Sequence, residues 1–548
     1  MMGLNLTVES VMKLSQLFLH SFSPGVNALE CSTAAFSTVL PSTAKILSAT
    51  SVGANNSFGG GPDNPEFPMS AAGLPELCAV SINVRSSNIS SYNFGLFLPA
   101  KWNSRFITVG NGGFGGGINW PDMGTNTLYG FAAMSTDTGH ISGVADGSWA
   151  LHNPEGLIDW GYRAMHGSIE LSKQLIEAYY GSSIKYSYYH GCSTGGRQGL
   201  KEIQLYPDDF DGVIAGAPAW WTSHMQPWTV QMGKVNLPAN ASYSIPASLF
   251  PVIEAEVFRQ CDSQDGVIDN IISDPVGCNF NPTKLLCRPG VNASSCLTAP
   301  QLVTLYKLHH DYVETNQTFV FPGMALGSEG QWDYVVGGTV APNPLGTDYI
   351  ADFLVNNSKW SWETFDYSHV QLADKINPGQ ATANDFDMSP FSKKGGKLLQ
   401  YHGWSDGLIP TGSSIYFHEQ VLQSLLPRGI DLDSWYRLFL VPGMQHCGGS
   451  VHDAPWYFAG ASQALILSHT MHSTPGYMDS KHDILLAMMD WVENGVAPDE
   501  IIATKFTNDA VEKGVLRQRP LCSYPKQATW NIMENPNLAP SWRCEYLY

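Results

Sequence analysis

Between about residues 85 and 219, short apolar runs alternate with segments of helical period. Phe94 to Pro99, Arg105 to Val109 and Phe131 to Ser135 have strand length, and Gly161 to Tyr180 has the spacing of a long helix. Tyr186 to His190 then reads as a strand, Thr194 to Leu205 as a helix and Gly212 to Ala215 as another strand. This alternation predicts an α/β chain with a mostly parallel sheet flanked by helices. After Pro218 the pattern changes. Trp220, Trp221 and Trp228 crowd together, and strand-like runs return only at Lys397 to Tyr401 and Tyr436 to Val441. The expectation is a core built from 29–219 and 396–548, with a lid domain inserted over 220–395. A structureless loop of that length is uncommon in a compact fold. Inside it, Thr298 and Gln301 form a capping box, with Pro300 in the first turn of a helix running through Leu302 to His309.

The 548 residues include 29 Lys and Arg against 48 Asp and Glu, a net charge of −19. That balance disfavours nucleic acid and anionic membranes as partners. With 43% hydrophobic and 14% charged residues the chain has ample material for a core, and it contains no apolar run of the length that spans a bilayer. Met12-Lys13, Leu14 to Phe22 and Val26-Asn27-Ala28 read as a signal peptide within 1–28, its apolar region interrupted by Ser15, Gln16, His20 and Ser21. Sequons at Asn55, Asn88, Asn240, Asn292, Asn316 and Asn356 fit a secreted, extracellular protein.

The chemistry concentrates at Gly191-Cys192-Ser193-Thr194-Gly195 and at His446-Cys447. Gly-x-Ser-x-Gly between a strand and a helix is the frame of a nucleophile elbow, which holds a serine Oγ at the end of a sheet. A disulfide needs Cα atoms about 4.4 to 6.8 Å apart, so a Cys192 to Cys447 bond would bring Ser193 and His446 together. In this architecture the acid lies between serine and histidine in chain order. Asp406 qualifies, on the turn after the Lys397 to Tyr401 strand, and His446 follows the Tyr436 to Val441 strand. The candidate triad is therefore Ser193, Asp406 and His446. Thr194 is the first candidate oxyanion donor, with Gly112 or Gly113, after the Arg105 to Val109 strand, as the second. The glycine-rich loop lacks the Lys-Ser/Thr of a phosphate-binding loop, so no organic cofactor is expected.

The blocks Gly110 to Gly116, Ser135 to His140, Gly161 to Ala164, Cys192-Ser193, Ala215 to Ala219, Asp406 and His446-Cys447 resemble the tannase and feruloyl esterase family. The resemblance implies an α/β-hydrolase core with a large inserted lid domain, and a secreted serine carboxylic-ester hydrolase acting on esters of phenolic acids or on tannins. It also supports pairing the ten cysteines as Cys192 with Cys447, Cys31 with Cys78, Cys261 with Cys278, Cys287 with Cys296, and Cys522 with Cys544. A structural Ca²⁺ is implied at the loop from Cys261 to Ile271, with side chains of Asp262, Asp265 and Asp269 and carbonyls of Val267 and Ile271 as ligands; calcium takes six to eight such oxygens. Feruloyl esterase is preferred to tannase, because tannases resembling this family are often cut at a basic site in the lid, where this chain has no Lys-Arg pair. A non-catalytic tannin- or glycan-binding protein and a peptidase are the rivals, and the oligomeric state stays open. His190, His402 and His166 read as structural, hydrogen-bonded histidines, and Arg197 as the cation of a helix-to-loop salt bridge. Among the lid aromatics, Trp332, Tyr334, Trp360, Trp362, Phe365 and Tyr367 are candidates for core or pocket.

Overall fold

Nine strands form one central sheet: β1 Ala44–Val52, β2 Leu77–Arg85, β3 Ser91–Pro99, β4 Arg105–Val109, β5 Ala132–Thr136, β6 Tyr186–Cys192, β7 Gly212–Gly216, β8 Lys397–Gly403 and β9 Tyr436–Val441. The computed structural model describes residues 29–290, 292–467 and 471–547, so the signal segment expected over 1–28 lies outside the described residues. The spatial order is β1-β2-β3-β5-β4-β6-β7-β8-β9. Pairing is antiparallel from β1 through β3 to β5 and parallel from β5 through β4, β6, β7 and β8 to β9. This is the mainly parallel sheet of an α/β-hydrolase fold.

The central strands read as continuous apolar runs because both faces are covered. Every residue of β7 is buried, as is all of β6 and β8 after the first residue. Side chains alternate between the two faces. Phe94, Leu96, Phe106, Leu398 and Leu438 join one apolar cluster, while Phe97, Ile107, Val109, Leu399 and Phe439 join the other. The edge strand β1 is largely exposed and carries no comparable apolar run, so it was not legible in the pattern.

The segment between β7 and β8 packs around a third apolar cluster that includes Trp228, Ile253, Leu305, Phe321 and Trp332, with Phe114 and Trp160 reaching into it from the core. Its signalled helix spans Ala299–His309, and both halves of the capping box are made: Thr298 Oγ1 accepts from Gln301 N–H, and Gln301 Oε1 accepts from Thr298 N–H. Of the lid aromatics, Trp332 and Phe365 are buried and Tyr334 is exposed. Beyond β9, the hairpin Glu500–Phe506/Val515–Cys522 and the pair Gln527–Trp530/Trp542–Glu545 close the chain. Among the described residues no helix is long and apolar enough to cross a membrane.

Candidate active site

The turn after β6 is tight. Ser193 has φ 63° and ψ −124°, and the elbow helix Thr194–Leu205 begins at the next residue. A non-glycine residue held at positive φ costs on the order of 1–3 kcal/mol and persists only where its surroundings over-determine it. Here Ser193 N–H donates to Gly216 O at 2.9 Å, while Ser193 O accepts from Arg197 N–H at 3.1 Å and Ala219 N–H at 3.0 Å. The strand and helix approach so closely that a Cβ on Gly191 would lie 2.7 Å from the Gly195 carbonyl carbon. Gly191 is thus required by sterics, and a Cβ on Gly195 would press on Asn111 O at 3.1 Å.

Asp406 and His446 follow β8 and β9, so the ends of three strands in the parallel part of the sheet, β6, β8 and β9, supply or precede the candidate residues. His446 Nδ1 lies 2.7 Å from Asp406 Oδ2, and the carboxylate is fully buried. Its other oxygen, Oδ1, accepts from Leu408 N–H at 2.8 Å and Ile409 N–H at 2.9 Å. Burial alone would push this acid up. The His446 charge, together with hydrogen bonds from His402 and His446, outweighs burial and holds it well below the usual carboxylate range. In the neutral imidazole the Nδ1 proton goes to Asp406, so Nε2 carries none and can act as a base; in the cationic form the same carboxylate faces the positive charge.

Cys192 and Cys447 are bonded, with Cα atoms 5.9 Å apart, so the residues next to Ser193 and His446 are covalently joined across the ends of β6 and β9. The lid adds a second tie: Gln331 Oε1 accepts from Gly407 N–H at 3.0 Å and His446 N–H at 3.2 Å. One amide thereby spans the acid loop and the base loop. The other four bonds pair Cys31 with Cys78, Cys261 with Cys278, Cys287 with Cys296 and Cys522 with Cys544.

The loop after β4 lies against the elbow, where Thr194 Oγ1 donates to Gly113 O at 2.8 Å. The expectation for Gly112 is corrected. Its N–H donates to Glu66 Oε1 at 2.6 Å and is not free for an oxyanion. The N–H groups of Gly113 and Thr194 have no acceptor among the described residues. Glu66 is buried, and burial pushes it up to about 8, against the opposing hydrogen bonds from Gly112 and Asn111. Sequence reading missed both Glu66 and Gln331, since each lies far from the motifs in the chain and reaches them only through the fold.

Arg197 also departs from expectation. Its guanidinium is buried, without a carboxylate partner among the described residues; it donates to Gly161 O at 2.8 Å, Ala381 O at 3.3 Å and Trp160 O at 3.3 Å, and stacks over Trp160 at 4.4 Å. It fastens the elbow helix to core and lid rather than forming a salt bridge. His166 is hydrogen-bonded to Glu202 and Asp209. His190 is buried with Nε2 unpartnered among the described residues, and burial lowers it to about 4. His402, read as a structural histidine, touches Asp406 directly.

In the loop after Cys261, Gly266 takes the left-handed conformation at φ 87°. Asp262 Oδ1 accepts from Ile271 N–H at 3.1 Å, and Asp265 accepts from Val267 N–H at 2.9 Å and Ser273 Oγ at 2.6 Å. Asp269 Oδ2 pairs with Arg517 at 2.8 Å and with Arg519, while its Oδ1 is buried with no partner among the described residues. Burial raises Asp265. Among the described residues, the trio whose ligand atoms all lie within 4.8 Å of one another is His166, Glu202 and Asp209, and the loop carboxylates stand further apart.

Comparison with known proteins agrees with this architecture. The family described as tannase and feruloyl esterase matches residues 78–544. A probable feruloyl esterase B-2 of Aspergillus terreus is 34% identical over 488 residues, covering 88% of this chain and 89% of the relative. The crystal structure of feruloyl esterase B from Aspergillus oryzae superposes with a TM-score of 0.85 at 32% identity, covering 93% of this chain and 98% of the other. Tannin acyl hydrolase from Aspergillus niger shares the fold, with a TM-score of 0.71 at 23% identity over 95% of this chain and 96% of that one. The chain belongs to the tannase and feruloyl esterase family of carboxylic ester hydrolases.

Proposed function

We propose that this chain is a secreted serine esterase that releases phenolic acids of the ferulate or coumarate type from their esters through an acyl-enzyme at Ser193. The observation that carries the reading is the 2.7 Å hydrogen bond from His446 Nδ1 to Asp406, made beside a disulfide that fastens the elbow serine's neighbour to that histidine's neighbour. His446 Nε2 takes the Ser193 proton as Oγ attacks the ester carbonyl, and returns it to the leaving alcohol or phenol. Asp406 holds the imidazole in that tautomer and stabilises its cationic form. The N–H groups of Thr194 and Gly113 receive the oxyanion; each such donor is worth about 3–4 kcal/mol in related chemistry. Water then repeats the sequence to free Ser193.

The preference for feruloyl over galloyl esters is supported by the greater identity to the feruloyl esterases than to the tannin acyl hydrolase. Secretion is supported by exposure of the six sequon asparagines among the described residues and by five disulfides, which persist in oxidising compartments. A calcium ion fits the donor chemistry of the loop after Cys261. Asp262, Asp265 and Asp269 would supply carboxylate oxygens and Val267 and Ile271 carbonyls, and the partnerless Oδ1 of Asp269 is the atom whose burial an ion would offset. The ion would brace the lid and take no part in the chemistry. Hydrolysis of methyl ferulate, methyl caffeate, methyl gallate and a simple alkyl ester, measured side by side, tests the acyl preference. Turnover fastest on the gallate would point to a tannase, and cleavage of amides in preference to esters to a peptidase.

A further inference from the structure

Asp406 serves two histidines. Besides His446, its Oδ2 has His402 Nε2 at 3.0 Å, and both side chains of this second pair are completely buried. His402 Nε2 also faces Ile409 O at 2.9 Å. A carbonyl only accepts, and the ionised carboxylate only accepts, so the proton of His402 resides on Nε2. The far side of the ring is fixed with equal economy. Nδ1 lies 2.7 Å from Ser414 Oγ, and Ser414 Oγ lies 2.7 Å from Gln400 Nε2. Gln400 Oε1 in turn accepts from the Tyr436 hydroxyl.

These contacts have one consistent direction. Tyr436 donates to the Gln400 carbonyl oxygen, so the Gln400 amide nitrogen faces Ser414 and donates to it. The Ser414 hydroxyl proton is then left for His402 Nδ1, which must accept. A cationic His402 would present two donors to Ser414 Oγ and leave the hydroxyl proton without an acceptor. The chain Tyr436, Gln400, Ser414, His402, Asp406 therefore runs one way and ends in a neutral imidazole. The titratable groups facing His402 are Asp406 and, across that carboxylate, His446; Tyr436 closes the far end through Gln400.

We propose that His402 is a positioning residue of the ester-hydrolysing site, delivering a second, uncharged N–H to Asp406 so that Oδ2 stays aimed at His446 Nδ1. The proposal rests on the serine esterase reading above. Neutrality is the essential property. When His446 becomes cationic on taking the Ser193 proton, a charged His402 on the same carboxylate would oppose it, whereas a neutral one orients the carboxylate and leaves its charge to His446. Buried chains of this kind, fully satisfied, also rigidify what they hold. The strand placement explains the geometry: His402 and Gln400 both lie on β8, two residues apart and on the same face, opposite the helix Gly412–Leu425 that carries Ser414.

The experiment uses the full chain. His402→Ala, His402→Gln and Ser414→Ala are compared with wild type for kcat and KM on methyl ferulate and p-nitrophenyl acetate from pH 5 to 9, with folding checked by melting. His402→Ala is expected to lose about 10- to 100-fold in kcat, the scale of a small misplacement of reacting groups, with KM little changed. Its acid limb should move to higher pH, because a carboxylate relieved of a competing donor holds the His446 imidazolium more tightly. His402→Gln, whose Nε2 can reach Asp406 as a neutral donor, should recover most of the loss. Ser414→Ala removes the donor to Nδ1 without touching the ring. It should lose kcat selectively at the acid end, as His402 becomes able to take a proton. A folded His402→Ala protein with wild-type kcat and acid limb overturns the proposal; if that variant does not fold, an unchanged pH profile in Ser414→Ala overturns it. The parent reading is tested separately by labelling wild-type Ser193 with a fluorophosphonate. Wild type that is neither labelled nor active sinks the esterase reading, whereas labelled, active wild type beside unaffected variants sinks the positioning role alone.

Discussion

His446 Nδ1 donates to Asp406 Oδ2 at 2.7 Å across 40 residues of chain, and Leu408 and Ile409 N–H groups hold the opposite oxygen of the same carboxylate. An Asn at 406 would keep its oxygen on those two amides and turn its NH₂ toward His446. The imidazole would then have to accept at Nδ1 and carry its proton on Nε2, where it cannot take one from Ser193. Asp406→Asn is therefore expected to lose roughly 10³- to 10⁴-fold in kcat/KM, the scale seen for the wrong tautomer in a related triad. Steady-state kinetics on a methyl ester check this.

The bond between Cys192 and Cys447 spans 255 residues, and on the chain-entropy model it stabilises by about 5 kcal/mol, an upper figure. Its more specific effect is on geometry, since Ser193 and His446 stand on separate loops. Replacing both cysteines by Ala should lower kcat much more than it lowers affinity for the product acid, because about 1 Å of misplacement can cost a hundredfold in rate. Loss of any other disulfide should reduce mainly the melting temperature. Measurement of kcat, product affinity and melting for each double mutant separates the two effects.

If calcium binds at Asp262, Asp265 and Asp269, it stabilises the folded chain by about 2.7 kcal/mol at a hundredfold excess over Kd. Chelation should lower the melting temperature while leaving turnover at moderate temperature largely intact. Calorimetry of metal-free protein with and without added Ca²⁺ checks the claim, and an unchanged melting curve counts against it.

Glu66 is raised by burial to about 8, so the folded chain holds its proton where the unfolded chain has released it. Stability should accordingly fall as pH rises from about 4.5 toward 8, by an amount on the order of 1–4 kcal/mol from this group. Glu66→Gln keeps an oxygen for the Gly112 N–H and has no proton to lose. Its unfolding free energy should decline less than that of wild type over the same window, as denaturant titrations at several pH values can determine.

Much of the candidate site was legible because its residues sit where local pattern is strongest. The Gly-x-Ser-x-Gly frame follows a short apolar run, and Asp406 and His446 follow two more, so central parallel strands announced each candidate. Glu66 and Gln331 had no such signal. Glu66 lies in irregular chain and Gln331 in the short 3₁₀ helix Glu329–Tyr334, and each is brought to the site by packing that no local period encodes. Gly112 failed as an oxyanion donor for the same reason, since its competitor Glu66 comes from a remote loop. The charge of Arg197 suggests a salt bridge, whereas carbonyl oxygens take its two terminal nitrogens and the Trp160 ring faces the guanidinium. The edge strand β1 and its neighbour β2 went unread: only two of the nine β1 residues are buried, and polar Ser81 and Asn83 interrupt the apolar run of β2.

The most direct test of the account is the turnover of Ser193→Ala on the best ester of the panel, with melting and circular dichroism as controls for fold. The account predicts a folded protein whose kcat is at least about a thousandfold below wild type, since the acyl-enzyme route is removed. A folded Ser193→Ala protein with near-normal kcat would contradict it.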